Sequence, residues 1–354
     1  MTVYAALRDR LLVVREDTPQ ARERLEGYDL ECVAAHLDRP DRVFCGTFGA
    51  GLHRSIDGGD SWERVGAETI DPDEAPETAE RRGAGGVSVM SVAVDPADPD
   101  TVWVGTEPSA LFRSADGGVS WEQVGGVADH PSAGEWAFPP RPYTHHVRWI
   151  EVDPYDPDRV YVGVEAGALL VTPDAGETWV ERPPGSRRDN HTLATHPDAE
   201  GRVHAAAGDG YAESTDSGES WDHPVEGLDH HYVWSVAVDP GDPEAVVVSA
   251  ASGARAAHGG AGTPESYLYR RTNAAEEHDD ERTEAAWERL EDEVPTGEGV
   301  VRAVLAAGTT AGELYAINNH GLYRSADGGH SWNRLGIEWP SAYLERTPRG
   351  LDAV

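Results

Sequence analysis

The chain has 354 residues and a formal net charge of −35, because 64 acidic residues stand against 29 basic residues, all of which are arginine. A surface this acidic repels the phosphates of nucleic acids and anionic membranes, which excludes both as expected partners. Apolar residues make up 39% of the chain, enough for a packed core, and no segment is apolar over the ~18 residues that a membrane-spanning helix needs. An acid excess in which arginine is the only basic residue resembles halophilic proteins, in which molar salt screens the self-repulsion, with a generally acidic mesophilic protein as the alternative.

The N-terminal segment predicts three short strands, over residues 3–7, 10–14 and 21–25. It contains neither the basic region nor the apolar run of a signal peptide, so we expect a cytoplasmic protein. Cys32 and Cys45 follow on two neighbouring strand candidates. Buried thiols are the expected state of these cysteines, with a disulfide bridge as the alternative.

Five copies of one eight-residue pattern dominate the rest of the chain, and we call them box turns. Each reads Ser/Thr-x-Asp-x-Gly-x-x-Trp, and the copies are Ser55–Trp62, Ser114–Trp121, Thr172–Trp179, Ser214–Trp221 and Ser325–Trp332. The hydroxyl and carboxylate side chains can accept hydrogen bonds from backbone N–H groups a few residues later in the chain. Glycine tolerates positive φ, and the tryptophan is the first residue of the next strand. A repeat on this scale indicates repeated architecture rather than one active site. We therefore interpret the following residues as structural: Asp57, Trp62, Asp116, Trp121, Asp174, Trp179, Asp216, Trp221, Asp327 and Trp332.

A second marker precedes most box turns and consists of a strand, an Asp-Pro turn and another strand, as in Val152–Pro154 followed by Val160–Val162. Asp and Pro favour turns and stop the first strand. One unit is thus four strands, which predicts an all-β, seven-bladed β-propeller of four-stranded blades in a single domain, with six blades as the alternative. The predicted blades are 1–27 plus 341–354, 28–66, 86–125, 144–183, 188–226, 230–291 and 298–337. In the first of these, the C-terminal strand is expected to pair with the N-terminal blade and close the ring.

The box turns resemble the Asp box, or BNR repeat, of sialidase-like, sortilin-like and WD40/YVTN-like β-propellers, and this resemblance covers nearly the whole chain. It implies that the boxes are structural and lie on the face opposite the ligand site. It implies no single activity, because one fold hosts many functions.

Aligning the innermost strands on their Asp-Pro turns selects one residue in each blade. For Met90 and Arg148 it is the residue five positions before the turn Asp, and in the other blades it is the matching position. We call these the rim residues: Glu31, Met90, Arg148, His191, Trp234, Arg302 and Arg349. They are expected to ring the mouth of the central channel, on the face opposite the box turns. Three long insertions, 68–86, 127–144 and 252–264, are expected on the same face, where binding sites concentrate on rigid scaffolds. A fourth insertion, 274–286, replaces a box turn and is expected on the opposite face.

Polar residues around this mouth are the candidates for function. The candidate ligand-binding residues are Glu31, Arg141, His145, His146, Arg148, His191, His231, Trp234, Arg302 and Arg349. Arginine forks suit carboxylates, phosphates or sugar acids, and histidines suit acid–base work or metal ligation. The candidate catalytic carboxylates are Glu107, Glu165 and Asp209. No Cys/His spacing indicates a zinc site, and neither a metal nor another cofactor is predicted.

The preferred functional hypothesis is a non-catalytic binding or scaffold propeller. It would be a monomer that holds a protein partner or an anionic small molecule at the Arg/His-lined mouth.

The first alternative is a glycoside hydrolase that resembles sialidases. Arg148, Arg302 and Arg349 would imitate the arginine cluster of that family, with a phenol from Tyr143 or Tyr232. The chain departs from the family, because the Phe/Tyr-Arg-Ile-Pro motif before the first box is missing and seven blades differ from the six of sialidases.

The second alternative is a lyase or metal-dependent hydrolase built on His145, His146, His191 and His231. Convergence of these histidines at one point would favour it, since imidazoles from different blades could then share one metal ion.

Overall fold

Seven antiparallel sheets surround one central channel, which confirms the all-β, seven-bladed propeller and excludes the six-blade alternative. The computed structural model describes residues 1–15, 20–70, 86–259, 262–271, 286–291 and 294–354. Within these ranges the longest helices have five residues, and none is long and apolar enough to cross a bilayer.

Short strands account for nearly all of the regular structure. The first fourteen are β1 Thr2–Leu7, β2 Arg10–Arg15, β3 Arg22–Arg24, β4 Leu30–Ala35, β5 Val43–Thr47, β6 Gly51–Ser55, β7 Glu63–Val65, β8 Ser88–Val94, β9 Val102–Glu107, β10 Leu111–Ser114, β11 Glu122–Val124, β12 Val147–Val152, β13 Val160–Val164 and β14 Ala168–Thr172. The others are β15 Val180–Glu181, β16 Asn190–Thr195, β17 Val203–Ala207, β18 Gly210–Ser214, β19 Tyr232–Asp239, β20 Asp242–Ala251, β21 Glu265–Arg271, β22 Trp287–Leu290, β23 Gly297–Glu298, β24 Val304–Ala307, β25 Glu313–Asn318, β26 Gly321–Ala326, β27 Asn333–Arg334 and β28 Gly350–Ala353. The helical segments are the 3₁₀ turns Ala133–Glu135 and Ser341–Glu345 and the helix α1 Ala254–His258.

The ring is closed by the last strand of the chain. The first blade has the order β28-β1-β2-β3, and β28 runs antiparallel to β1 with Val3 opposite Ala353 and Ala6 opposite Gly350. The innermost strands β28, β4, β8, β12, β16, β19 and β24 contact one another in succession around the channel. The predicted pairing of the two ends is therefore confirmed, and it removes two exposed sheet edges.

The remaining blades follow the chain in order, with two variations. Blades two, three, four and seven are the sheets β4–β7, β8–β11, β12–β15 and β24–β27. In the fifth blade, β16–β18, the outer strand is reduced to a single bridge between Glu213 and Asp222. The sixth blade, β19–β22, gains the short strand β23 beside β21. Apolar side chains fill the space between neighbouring sheets, as where Trp103 of the third blade packs with Val162 of the fourth.

Each box turn is stapled by its own side chains. Ser55 Oγ accepts the N–H of Gly59 at 2.8 Å and donates to Asp57 Oδ1 at 2.8 Å. Asp57 also accepts the N–H and the hydroxyl of Ser61 at 2.8 and 2.6 Å. The same bonds recur in the other four box turns. The aspartate oxygens thus accept hydrogen bonds from within their own turn.

The two faces of the propeller differ in what they carry. Box turns and Asp-Pro turns share one face, because Gly58 and Gly117 of two box turns donate N–H bonds to the Asp41 and Asp100 carbonyls at 2.8 Å. We call this the box face and its opposite the mouth face. At the box face the channel widens into a cavity of about 400 Å³. Most of the residues that line this cavity are apolar, but the lining also includes two acidic residues, Glu151 and Asp352.

The rim residues share one structural position at the mouth end of the innermost strands. Five innermost strands skip one residue in their pairing, a β-bulge, and the skipped residues are Glu31, Met90, Arg148, His191 and Trp234. A bulged residue is left out of the ladder and its side chain is re-aimed. In the other two blades Arg302 and Arg349 lie just before β24 and β28.

Two of the predicted insertions lie on the mouth face. Segment 127–144 carries Arg141, which contacts Glu107, and segment 252–264 carries His258, which contacts Trp234. Most of insertion 68–86 and nearly all of insertion 274–286 lie outside the described residues. Cys32 and Cys45 are buried free thiols.

Candidate functional site

Two carboxyl groups from neighbouring blades meet at the mouth. Glu165 follows β13 of the fourth blade, and Asp189 precedes β16 of the fifth. One oxygen of each and Nε2 of His191 all lie within 4.8 Å of one another. Glu165 is 8% exposed, whereas Asp189 is half-buried, so a ligand entering from solvent meets Asp189 first.

Positive groups surround Glu165. His146 Nε2 lies 2.9 Å from Glu165 Oε2, and Arg148 Nε lies 3.8 Å from the same oxygen. Burial on its own would raise the pKa of Glu165, but the hydrogen bond with His146 and the charges of His146, His191 and Arg148 outweigh burial. The pKa is held well below its usual range, and Glu165 is therefore an ionised carboxylate.

The pKa of Asp189 is shifted in the opposite direction to that of Glu165. Its Oδ1 accepts the N–H of Ala166 at 2.8 Å, which fixes the carboxyl beside Glu165. Burial raises the pKa of Asp189, and the charge of Glu165 adds to this increase, while His191 opposes it. Two adjacent carboxyls with pKa values moved in opposite directions are a typical arrangement for acid–base chemistry.

A row of rings leads from the carboxyl pair to a buried arginine. His191 donates from Nδ1 to the Val233 carbonyl at 2.8 Å, which directs Nε2 to the carboxyls. Tyr232 Oη lies 3.4 Å from this Nε2 and 3.2 Å from Nε2 of His258. Burial and then the charge of Arg302 lower the pKa of His258 to about 2, so this ring is neutral and accepts Arg302 Nε at 3.3 Å.

Three rim arginines converge on the same region. Arg302 is fully buried, with its guanidinium carbon 3.5 Å from the centroid of Trp234, and that of Arg148 lies 5.0 Å from the same ring. Arg349 NH1 lies 3.6 Å from Glu31 Oε2. Burial, followed by the charges of Arg349 and Arg148, lowers the pKa of Arg302.

The other two candidate catalytic carboxylates, Glu107 and Asp209, are held by other partners. Glu107 is fully buried and accepts two bonds from Arg141, at 2.9 and 2.5 Å, which ties both residues into one ion pair. Asp209 is exposed and accepts the backbone N–H groups of Arg188 and Asp189 at 3.2 and 3.3 Å. Of the three, it is Glu165 that lies with Asp189 and His191 in a group whose oxygen and nitrogen atoms are within 4.8 Å of one another.

The predicted histidines do not converge on one point. His146 and His191 both contact Glu165. His145 is hydrogen-bonded elsewhere, with its Nδ1 2.8 Å from Ser109 Oγ, and His231 is exposed. This separation counts against a metal held by all four histidines.

Glu165, Asp189 and His191 offer oxygen and nitrogen atoms close enough to hold one metal ion. Arg148 places a permanent positive charge 3.8 Å from Glu165, which opposes a cation there.

Two residues of the site, Asp189 and His258, are absent from the sequence-derived candidates. Asp189 lies only two residues before the rim residue His191, and this proximity is the signal that could have selected it. His258 lies in an insertion, and no sequence pattern ties it to Arg302.

No family model matches the chain. Among curated proteins, the oligoxyloglucan-reducing end-specific xyloglucanase of Emericella nidulans is 35% identical over 95 residues, 27% of this chain and 10% of the relative. Xyloglucanase Xgh74A of Acetivibrio thermocellus is 25% identical over 290 residues, 70% of this chain and 31% of the relative. The chain thus spans about a third or less of the length of these relatives.

Solved structures share the fold at low identity. The GH74 enzyme of Niastella koreensis superposes with a TM-score of 0.65 at 16% identity, over 94% of this chain and 52% of that one. YCF48 bound to D1 peptide superposes with a TM-score of 0.54 at 18% identity, over 86% of this chain and 81% of that one. Both likenesses concern the propeller fold alone.

The sequence-based hypothesis of a non-catalytic binding or scaffold propeller is wrong, because the two curated relatives described above are named as xyloglucanases, which are glycoside hydrolases. The glycoside hydrolase alternative agrees better with these relatives. Residue types at the rim could not separate the two hypotheses, because arginine and histidine serve both binding and catalysis. The arrangement of Glu165 beside Asp189 is visible only once two blades are brought together.

Proposed function

We propose that the chain is a glycoside hydrolase whose catalytic carboxyls are Glu165 and Asp189. The observation that carries the proposal is their close approach at the mouth, with one pKa lowered and the other raised. Glycosidases use such a pair, one protonated to serve as acid and the other ionised.

In this proposal Asp189 is the general acid, because its pKa is raised and it is the more exposed of the two. It would protonate the glycosidic oxygen as the bond to the leaving sugar breaks. Glu165 stays ionised beside His146 and Arg148 and would stabilise or attack the developing positive charge on the sugar.

The relatives named as xyloglucanases support a glycosidase and make xyloglucan the first substrate to test. Because the chain spans only part of these relatives, their substrate and reaction reach this chain only as proposals. The five box turns support membership of the Asp-box propellers, which is part of the same proposal. A cytoplasmic location and a monomeric state complete the proposal.

The test measures reducing-sugar release from xyloglucan oligosaccharides and a panel of aryl glycosides by the whole chain in molar KCl. Wild type is compared with Glu165→Gln and Asp189→Asn, which keep the side-chain size. Glu63→Gln, an exposed carboxylate on an outer strand, is the matched control.

We expect each site variant to lower kcat/KM by about 10²-fold or more, the usual contribution of an acid–base group, and the control to leave it unchanged. Activity should decline as pH rises, because Asp189 loses its proton above its raised pKa. Full activity in either site variant, or no hydrolysis of any substrate by wild type, would refute the proposal. Loss of activity in EDTA would instead indicate a metal ion at Glu165, Asp189 and His191.

A further inference from the structure

Two acidic side chains face the apolar cavity at the box face of the channel, far from the carboxyl pair of the mouth. Glu151 of β12 and Asp352 of β28 line this cavity of about 400 Å³. Each lies three residues after a rim residue, and the residues at the same position in the other five blades are apolar: Ala34, Ala93, Ala194, Ala237 and Leu305. The two carboxyl groups therefore interrupt a ring of small and apolar side chains.

The two carboxyls are held in the same way. Asp352 Oδ2 accepts the N–H of Ala35 at 2.6 Å, and Glu151 Oε1 accepts the N–H of Thr195 at 3.0 Å. In both cases the donor belongs to the innermost strand of the following blade. Because β28 and β12 are three steps apart in the ring of seven innermost strands, the carboxyls face the cavity from opposite sides of the channel.

No basic side chain balances these carboxyls within the cavity, as far as the structure describes its lining. Burial raises the pKa of Glu151 to about 7 and that of Asp352 to about 6. Hydrogen bonds oppose part of both increases, the charge of Asp153 adds to the first, and His36 opposes the second. A carboxylate in an apolar enclosure is costly unless a cation accompanies it, so a cationic ligand should bind here more tightly than a neutral one.

Oxygen atoms of both carboxyls can accept further hydrogen bonds. Each carboxylate oxygen has two lone pairs. Among the described residues, Glu151 Oε2 accepts one bond, from Trp149 Nε1 at 3.1 Å, and Asp352 Oδ1 accepts one, from the N–H of Ala353 at 2.8 Å. An ammonium group has three donors and can use the remaining positions. The hydrocarbon surface between the two carboxyls suits a chain of methylene groups.

We propose that the cavity at the box face binds an aliphatic diamine, with one ammonium group at Glu151, the other at Asp352 and the methylene chain against the apolar lining. Two ammonium groups match two carboxylates in number and sign, whereas a single cation leaves one carboxylate unbalanced. The net charge of −35 also raises the concentration of cations around the chain. Because the cavity and the mouth lie on opposite faces, this inference does not depend on the proposed glycosidase.

The test is isothermal titration calorimetry of the whole chain at pH 8 and constant ionic strength, where both carboxyls are ionised. A series of α,ω-diamines with three to eight carbons finds the chain length that fits best. That diamine is compared with the monoamine and the alcohol of the same chain length, which differ from it only in the number of ammonium groups. We expect each ammonium group to increase the affinity by ~10-fold or more, since a hydrogen bond to a charged group is worth about that factor.

Variants assign the binding to the cavity. Glu151→Gln and Asp352→Asn keep the side-chain size and should each lower the affinity for the diamine by ~10-fold or more, to about that of the monoamine. Asp156→Asn, the matched control, removes a charge from an exposed residue in an Asp-Pro turn of the box face and should leave the affinity within ~2-fold of wild type, because solvent and salt screen this charge. Ala194→Leu gives the fifth blade the side chain that Leu305 provides in the seventh. It narrows the cavity without changing its charge and should weaken the binding of diamine and monoamine alike.

Tryptophan fluorescence in urea shows whether each variant is folded. Equal affinity for the diamine, the monoamine and the alcohol, or no binding of any of them, would overturn the inference. Unchanged diamine affinity in folded Glu151→Gln and Asp352→Asn would overturn it as well, because the ligand would then bind elsewhere. The comparison of the three ligands uses wild type alone, so it decides the question even if a variant does not fold.

Discussion

Glu151 connects the innermost strands of the fourth and fifth blades near the box face of the channel. Its Oε1 accepts the N–H and hydroxyl of Thr195 at 3.0 and 2.8 Å, and its Oε2 accepts Trp149 Nε1 at 3.1 Å. Burial raises the pKa of Glu151 to about 7, with these hydrogen bonds opposing part of the increase. The folded protein therefore binds a proton here that the unfolded chain releases at lower pH, and stability should decline as pH rises.

The size of this effect follows from the two pKa values. The pKa rises from an ordinary 4.5 to about 7, and 1.36 kcal/mol for each pKa unit gives about 3 kcal/mol. Glu151 keeps some solvent exposure, so we take about 2 kcal/mol as the expected contribution. This stability is fully present below pH 4.5 and is lost as pH rises through about 7.

Replacing Glu151 with Gln separates the charge from the hydrogen bonds. The amide oxygen can still accept from Thr195, but the amide NH₂ faces the Trp149 donor, so one bond is lost at a cost of about 1 kcal/mol. At pH 5 the variant should be less stable than wild type by about that amount. At pH 8 it avoids the buried charge and should be more stable by about 1 kcal/mol.

Urea unfolding in molar KCl at pH 5 and pH 8, followed by tryptophan fluorescence, measures the crossover. Glu122→Gln, which removes a charge from an exposed outer strand, controls for the reduced self-repulsion of the acidic chain. If Glu151→Gln is less stable than wild type by the same amount at both pH values, the argument about the raised pKa is refuted.

Two further results are expected. Ser214→Ala removes an Oγ that accepts a hydrogen bond from Gly218 N–H at 2.9 Å and donates one to Asp216 at 2.8 Å. Thermal unfolding should therefore show that the free energy of unfolding falls by about 2 kcal/mol. A decrease below ~0.5 kcal/mol would mean that the box turn is stable without these two hydrogen bonds. Oxygens of Glu165 and Asp189 lie within 4.8 Å of each other, which is too close to leave room for the water molecule of an inverting enzyme. Hydrolysis should therefore retain the anomeric configuration. Proton NMR of the first product measures this, and an inverted anomer would contradict the prediction.

The fold could be predicted because its signals are local. A box turn such as Ser55–Trp62 carries its own hydrogen-bond partners, and an Asp-Pro turn stops a strand wherever it occurs. Counting these units gave seven blades and the ring closure. The loss of the outer strand in the fifth blade was not visible, since residues after Trp221 look no different in composition from other outer strands.

The candidate site could be predicted only in part. Alignment selected Arg148, His191 and Arg302 because strand position is a local property. The partners of these residues depend on how the blades are arranged in space, and sequence does not give that. Glu165 meets Asp189 across a blade boundary, and Arg302 meets His258 through an insertion whose conformation no periodic pattern describes.

The bulges at the rim have a consequence for how such a ring can diversify. A residue outside the strand ladder contributes little to the pairing that holds the sheet, so its side chain can be exchanged at small cost to the blade. Here this position holds a glutamate, a methionine, three arginines, a histidine and a tryptophan, one in each blade. The propeller therefore separates the residues that hold its shape from those that face the channel. Selection can then alter the chemistry of the mouth one blade at a time.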